Sequence, residues 1–110
     1  MKNHATIATR PLEAVTPDGE TFPVTLRLGA PYPDPDPAGD WICPCRLDGL
    51  YESTYEIHGV DGIQALALAT DVLGRRLTEA AQERGLTFTW GGESGLTAAE
   101  VLVRSATAGR

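Results

Sequence analysis

VDGIQALALATDVLGRRLTEAAQERG, residues 60–85, is the one stretch whose periodicity runs long enough to decide a fold class. Ile63, Leu66, Thr70, Leu73, Leu77 and Ala81 recur at three- and four-residue steps and so share one helix face. Asp61 stands three residues before Gln64, the spacing of a capping box. Arg84 falls in the last turn, and Gly85 follows as a C-cap. Gly74 sits on the apolar face. A mid-helix glycine costs about 1 kcal/mol against alanine, which marks it as the expected point of closest approach to a sheet. The reading is one long amphipathic helix with Ile63 at the centre of its core face.

The chain before the helix reads as strands. Residues 4–15 form a first strand, interrupted by Arg10-Pro11; a proline there implies an edge position or a bulge. Thr16-Pro17-Asp18-Gly19 is a turn, with proline second and glycine fourth. Phe22, Val24, Leu26 and Leu28 then alternate with Pro23, Thr25, Arg27 and Gly29, a half-buried strand that closes a hairpin with the first. Residues 30–40, APYPDPDPAGD, read as a Pro/Asp-rich loop, because alternating prolines hold the backbone extended. Residues 40–48 form a third strand with Trp41, Cys43, Cys45 and Leu47 on one face and Ile42, Pro44 and Arg46 on the other. Asp48-Gly49 reads as a tight hairpin turn leading to a fourth strand, residues 50–58. In that strand Tyr51, Tyr55 and Ile57 oppose Glu52, Thr54, Glu56 and His58. After the helix, residues 86–90 read as a fifth strand and residues 91–95 as a flexible loop. Thr97 and Glu100 repeat the capping-box spacing before a short helix over about residues 98–105. Residues 106–110 read as a frayed tail.

The expected fold is therefore α+β: an antiparallel sheet of four to five strands with one long helix packed on one face. The order is β-β-β-β-α-β with a short C-terminal helix. At 110 residues the chain is one domain.

The run Asp40-Trp41-Ile42-Cys43-Pro44-Cys45-Arg46-Leu47-Asp48-Gly49-Leu50, followed by Gly59-Val60-Asp61-Gly62-Ile63-Gln64-Ala65-Leu66, resembles a family of small bacterial proteins. In that family a W-x-C strand, a G-L hairpin and a G-V-D-x-x-Q-A-L helix start recur in this order. The resemblance spans roughly residues 10–90. It implies the element order and carries no activity, cofactor or catalytic residue with it.

A net charge of −6 argues against nucleic acid, which needs clustered Lys and Arg, and against anionic membrane surfaces. Residues 1–9 hold no apolar run of the kind a signal peptide needs, and nothing approaches a transmembrane span. A cytoplasmic setting with reduced thiols is the expectation. The single lysine against eight arginines, with abundant Ala, Gly and Pro, suggests a GC-rich bacterial genome.

Four groups of residues invite chemistry. Cys43 and Cys45 point the same way on a strand, so two thiolates are placed to share a soft metal. Structural zinc wants four ligands, however, and His4 and His58 are the only histidines. Buried structural thiols are the favoured reading. Asp34, Asp36 and Asp40 hint at a hard cation, but Ala38 and Cys45 stand where further oxygen ligands belong, so a solvated acidic loop is expected. Gly91-Gly92-Glu93-Ser94-Gly95 lacks the lysine of a phosphate loop, and Leu96 occupies the position where a nucleophile elbow has glycine. Glu52, Glu56 and His58, with Asp61, could supply an acid–base group, yet their alternation is that of a solvent face. Tyr32 and Trp90 read as lids over the core.

With no specific motif, the favoured function is a non-enzymatic interaction module, of immunity type or another partner-binding kind, with no cofactor and no metal. The alternative is a small-molecule binder or enzyme on the open sheet face near Glu52, Glu56 and His58, and after it a thiol metal or redox protein through Cys43 and Cys45. Leu68 and Val72 fall opposite the helix's expected core face, a second apolar ridge that calls for cover. The C-terminal segment with Val101, Leu102 and Val103 is one candidate. A protein partner or a second copy in a homodimer is the other.

Overall fold

In the computed structural model, which describes residues 5–36 and 39–102, the turn after Val15 sets the first hairpin. Gly19 N–H donates to Thr16 O at 2.9 Å, and Thr16 Oγ1 accepts from Glu20 N–H at 3.0 Å. Gly19 takes φ 88°, a left-handed value that glycine accepts without strain. The turn joins β1 (Thr6–Val15) to β2 (Thr21–Gly29) in antiparallel register, with an irregularity between Thr6 and Ala8. His4, expected to begin the strand, lies outside the described residues. The remaining elements are β3 (Tyr32–Pro33), β4 (Trp41–Asp48), β5 (Tyr55–Gly59), α1 (Gly62–Arg84), β6 (Thr87–Trp90) and β7 (Glu93–Leu96). A helical turn begins at residue 98.

The architecture is α+β: an antiparallel sheet with the long helix on one face. Among the described residues the sheet has seven strands rather than four or five. β4 carries β5 along one edge, while β3 and β2 share the other at opposite ends; β1, β6 and β7 continue outward from β2. Pro11 sits in the part of β1 where β2 pairs on one side and β6, which reaches only Glu13–Val15, does not pair on the other. That is the locally open edge a proline requires. No helix among the described residues is long and apolar enough to cross a membrane.

Two of the added strands come from stretches read as loops. Within residues 30–40, Tyr32 and Pro33 pair with Ile42 and Trp41. Residues 91–95 are not a flexible loop: Gly91 and Gly92, at φ 61° and 86°, turn the chain back so that β7 pairs with β6. Two successive positive-φ residues are the requirement of a type I′ hairpin, and glycine meets it at both places.

The fourth strand is shorter than expected, and Asp48-Gly49 is not a two-residue hairpin. Leu50 and Tyr51 N–H groups both donate to Leu47 O, at 3.2 and 3.0 Å, so the chain curls rather than reverses. Leu50 and Tyr51 fold against the core. Asp48 is held outward by Arg27 Nε and Arg46 Nε, each at 2.8 Å. The chain rejoins the sheet only at Tyr55, opposite Cys45.

The helix caps match the sequence. Asp61 Oδ1 accepts from Gln64 N–H and Gln64 Oε1 accepts from Val60 N–H, both at 2.8 Å. Gly85 ends the helix in the left-handed region. Its rotation does not match. The buried positions are Ala65, Ala69, Leu73, Leu77 and Ala80, roughly 65° around the axis from the expected face. Ile63 is not core: it is 77% exposed. The cause is the short β5–α1 connection, Val60 and Asp61. It starts the helix in backbone contact with the sheet, where a Cβ at Gly59 would strike the Ala65 backbone nitrogen. No isoleucine fits in that gap, so methyl groups face the strands and larger side chains flank them. Gly74 likewise does not mark the approach to the sheet. It faces Leu102, whose Cδ1 would lie 2.5 Å from a Cβ placed there.

The core lies between these layers. Leu12, Ala14, Val24, Leu26, Cys43, Cys45, Leu47 and Phe88 supply the sheet side, and Leu96, Ala98 and Val101 close the end that α1 leaves open. Thr97 and Glu100 form the expected reciprocal cap, at 2.9 and 3.2 Å. Arg10 of β1 donates to Val101 O at 2.8 Å, which satisfies a carbonyl at the end of that turn. Val103 and the tail at 106–110 lie outside the described residues.

Candidate interaction surface

The reactive side chains singled out from the sequence are distributed rather than assembled. Cys43 and Cys45 are free thiols, both buried on the helix-facing side of β4. Cys43 Sγ donates to Gly29 O at 3.4 Å. Burial pushes the Cys43 thiol above its ordinary pKa. Burial, together with the neighbouring Cys43, pushes Cys45 to about 11. Both are therefore protonated at neutral pH, and a protonated thiol is neither nucleophile nor metal ligand. Among the described residues no group of three or more His, Cys, Asp or Glu side chains is placed to hold a metal.

Glu56 and His58 share the sheet face turned away from α1, on β5, while Glu52 stands in the β4–β5 connection and is not brought to them. The structure brings two further residues, Tyr32 and Asp34, to this face. Ile42 pairs with His58 on one side and Tyr32 on the other, and Asp34 Oδ2 lies 4.0 Å from His58 Nδ1. Burial first, then the charges of Glu56 and Asp34, raises the Tyr32 hydroxyl pKa. Only the β3 pairing creates this cluster. The acidic loop also closes on itself: Asp34 N–H donates to Asp40 O at 2.8 Å and Asp34 Oδ1 accepts from Asp36 N–H at 3.1 Å.

Trp90 lies half-buried under the Arg10 guanidinium, 4.1 Å from its ring centroid, and packs on the core as a lid would. The same rotation of α1 takes Leu68 and Val72 out of the position opposite the core expected for them: Val72 flanks the buried face and is half-buried, and Leu68 beyond it is 39% exposed. The last described residue of the C-terminal stretch, Leu102, packs over Gly74, on another flank of the helix. A cleft of about 510 Å³ opens there, lined by Thr70, Gly74, Thr78 and Leu102 among others.

The two most exposed large apolar side chains among the described residues, Val60 and Ile63, stand elsewhere, at the first turn of α1. Trp41 pairs with Gly59 at the end of β4, and its ring lies beside Gly62 and Pro31. Val60 and Ile63 bracket this contact, 70% and 77% exposed, and Trp41 itself is 37% exposed. The feature escaped the sequence reading because helical periodicity places Ile63 inside. A signal was present: Val60 and Ile63 flank the N-cap Asp61, where a first turn has no neighbouring turn to cover it.

The chain belongs to the family described as a domain of unknown function, DUF6968, which matches residues 8–100. No curated protein and no solved structure matches it.

Proposed function

We propose, taking membership in that family as the starting point, that this domain is a non-enzymatic interaction module. Its binding surface is the end of the molecule built from Trp41, Val60 and Ile63. The observation that carries the reading is the exposure of Val60 and Ile63 beside a half-open tryptophan. Contiguous exposed apolar surface marks an interaction site more often than scattered single residues do, and tryptophan is enriched among the residues that dominate binding energy. Supporting it, both thiols are buried and protonated, and the Asp48 carboxylate is held by Arg27 and Arg46. Two buried free cysteines also suit a reducing compartment such as the cytoplasm.

The test is Val60→Ser with Ile63→Ser. Both sites are exposed, so the double variant keeps the wild-type melting temperature within about 2 °C. Wild-type protein immobilised in a lysate of its source cells is expected to retain a partner that the double variant does not. Identical retention by the two proteins would sink the reading. A parallel Leu68→Glu, Val72→Glu variant reports whether the ridge formed by those two residues belongs to the same surface.

The cluster of Tyr32, Asp34, Glu56 and His58 favours a second reading, a small-molecule site on the outer sheet face. Saturable shifts of the His58 ring resonances with an added metabolite library would support it.

A further inference from the structure

We infer that the occupant of the Trp41–Val60–Ile63 surface is a basic protein segment that presents an apolar side chain, and not a second copy of this chain. The inference rests on the interaction-module reading and adds the partner's chemistry. It follows from how charge is laid out around the patch. No Lys or Arg occurs between Arg27 and Arg46, or between Arg46 and Arg75. The segments between those arginines supply Trp41, Val60 and Ile63 and carry eight acidic residues, Asp34, Asp36, Asp40, Asp48, Glu52, Glu56, Asp61 and Asp71, of which Asp40 and Asp61 adjoin the apolar residues in the chain.

The fold brings several of these to the rim. Pro33 pairs with Trp41, and Asp34 N–H donates to Asp40 O, so the acidic β3–β4 connection closes directly beside the tryptophan. Asp61 sits between Val60 and Ile63 as the helix cap. Asp48 lies away from the patch, held by Arg27 and Arg46 near the other end of β4. The result is an apolar centre with the Asp40 and Asp61 carboxylates beside it and no Lys or Arg in the adjoining segments.

Such a surface selects by charge as well as by shape. A basic segment would meet opposite charge at the rim, which speeds encounter and excludes acidic competitors. Two copies related by a two-fold axis would set the same rim against itself, since an isologous contact pairs identical patches. Like-charge juxtaposition at that distance opposes association, and the net charge of −6 adds to it.

The experiment uses the whole chain and three fluorescently labelled synthetic peptides. Each is helix-forming with leucine at every third or fourth position. The intervening positions are lysine and arginine in the first, glutamate in the second and glutamine in the third. Binding is read by anisotropy at low and moderate salt, with sedimentation of the protein alone for its oligomeric state. The expected result is that the basic peptide binds at least about tenfold tighter than the other two and weakens as salt screens the rim. Val60→Ser with Ile63→Ser should abolish that binding. Asp40→Asn with Asp61→Asn, which keeps a competent helix cap, should reduce it several-fold.

If all three peptides bind alike and the serine variant abolishes binding, the charge inference is overturned while the module reading stands. If the basic peptide fails to bind, or binds the serine variant as well as wild type, the inference is overturned. A dimer that the serine variant dissolves also overturns it, by making a second copy the occupant.

Discussion

Cys43 and Cys45 show how far a residue's chemistry depends on the layer it faces. On an exposed strand the pair would be a metal or redox candidate; here both are buried and protonated. Iodoacetamide at pH 7.5 should label neither thiol in the folded protein on the timescale of its reaction with the unfolded chain, and both should react promptly in denaturant. Fast labelling of folded protein would contradict the burial. The linkage runs in one direction. With the folded Cys45 pKa raised above its ordinary 9.0 to about 11, the stability it contributes is complete below the unfolded value and is lost as pH climbs through that window. Ile63 makes the complementary point. From the sequence it belonged with Leu73 and Leu77; in the fold it is on the surface. Leu26→Ala or Leu73→Ala should each cost about 2–5 kcal/mol, whereas Ile63→Ala should cost under about 0.5 kcal/mol. Equilibrium urea unfolding of the three variants decides which face of the helix is inside. Residue type was legible in the chain, but the side of the helix was not: apolar residues surround much of its circumference, and only the tight β5–α1 junction selects among them.

At the scale of elements, the long helix was legible because its signals are local and redundant: a periodic face, a reciprocal cap at Asp61 and Gln64, and a left-handed glycine at position 85. The β1–β2 hairpin was legible for the same reason. β3 was not, since a two-residue strand is shorter than the period that would reveal it. β7 was partly legible. Gly91-Gly92 is a hairpin signal, but Glu93-Ser94-Gly95 lacks the alternating apolar residues that would have supported a strand after it. Two substitutions test this level. Gly59→Ala should destabilise strongly, by about 1–3 kcal/mol or more, because the new methyl group meets backbone rather than a movable side chain. Gly91→Asn should be nearly neutral, since asparagine tolerates the left-handed region that a type I′ turn demands. Thermal melts of both should differ by several degrees, in that order.

Across the whole molecule, charge and apolar exposure are polarised. One end pairs Asp48 with Arg27 and Arg46; the other exposes Trp41, Val60 and Ile63 next to Asp40 and Asp61. The acidic composition was plain in the sequence, but its arrangement required the β3 and β5 pairings that converge on Trp41. Hydrogen bonds from Arg46 and then Arg27 hold the Asp48 carboxyl below its ordinary value of 3.8. Because the folded pKa is lowered, its contribution is present above the unfolded value and disappears as pH falls through the folded one. Both guanidiniums are partly exposed, so the effect is modest, under about 1 kcal/mol. The stability difference between wild type and Asp48→Asn should accordingly be measurable at pH 7 and shrink as the pH is lowered through the acid range. Pro11 also acts at the scale of the whole molecule. In antiparallel pairing, a strand that hydrogen-bonds on one side only is a template for the next identical chain, and addition of that kind has no natural stopping point. A proline midway along the open part of β1 removes an amide donor from the template. The residue that interrupts the first strand is thus a safeguard against polymerisation: Pro11→Val should leave the monomer's spectrum intact yet drive it toward fibres, seen as rising light scattering at concentrations where the parent chain stays clear.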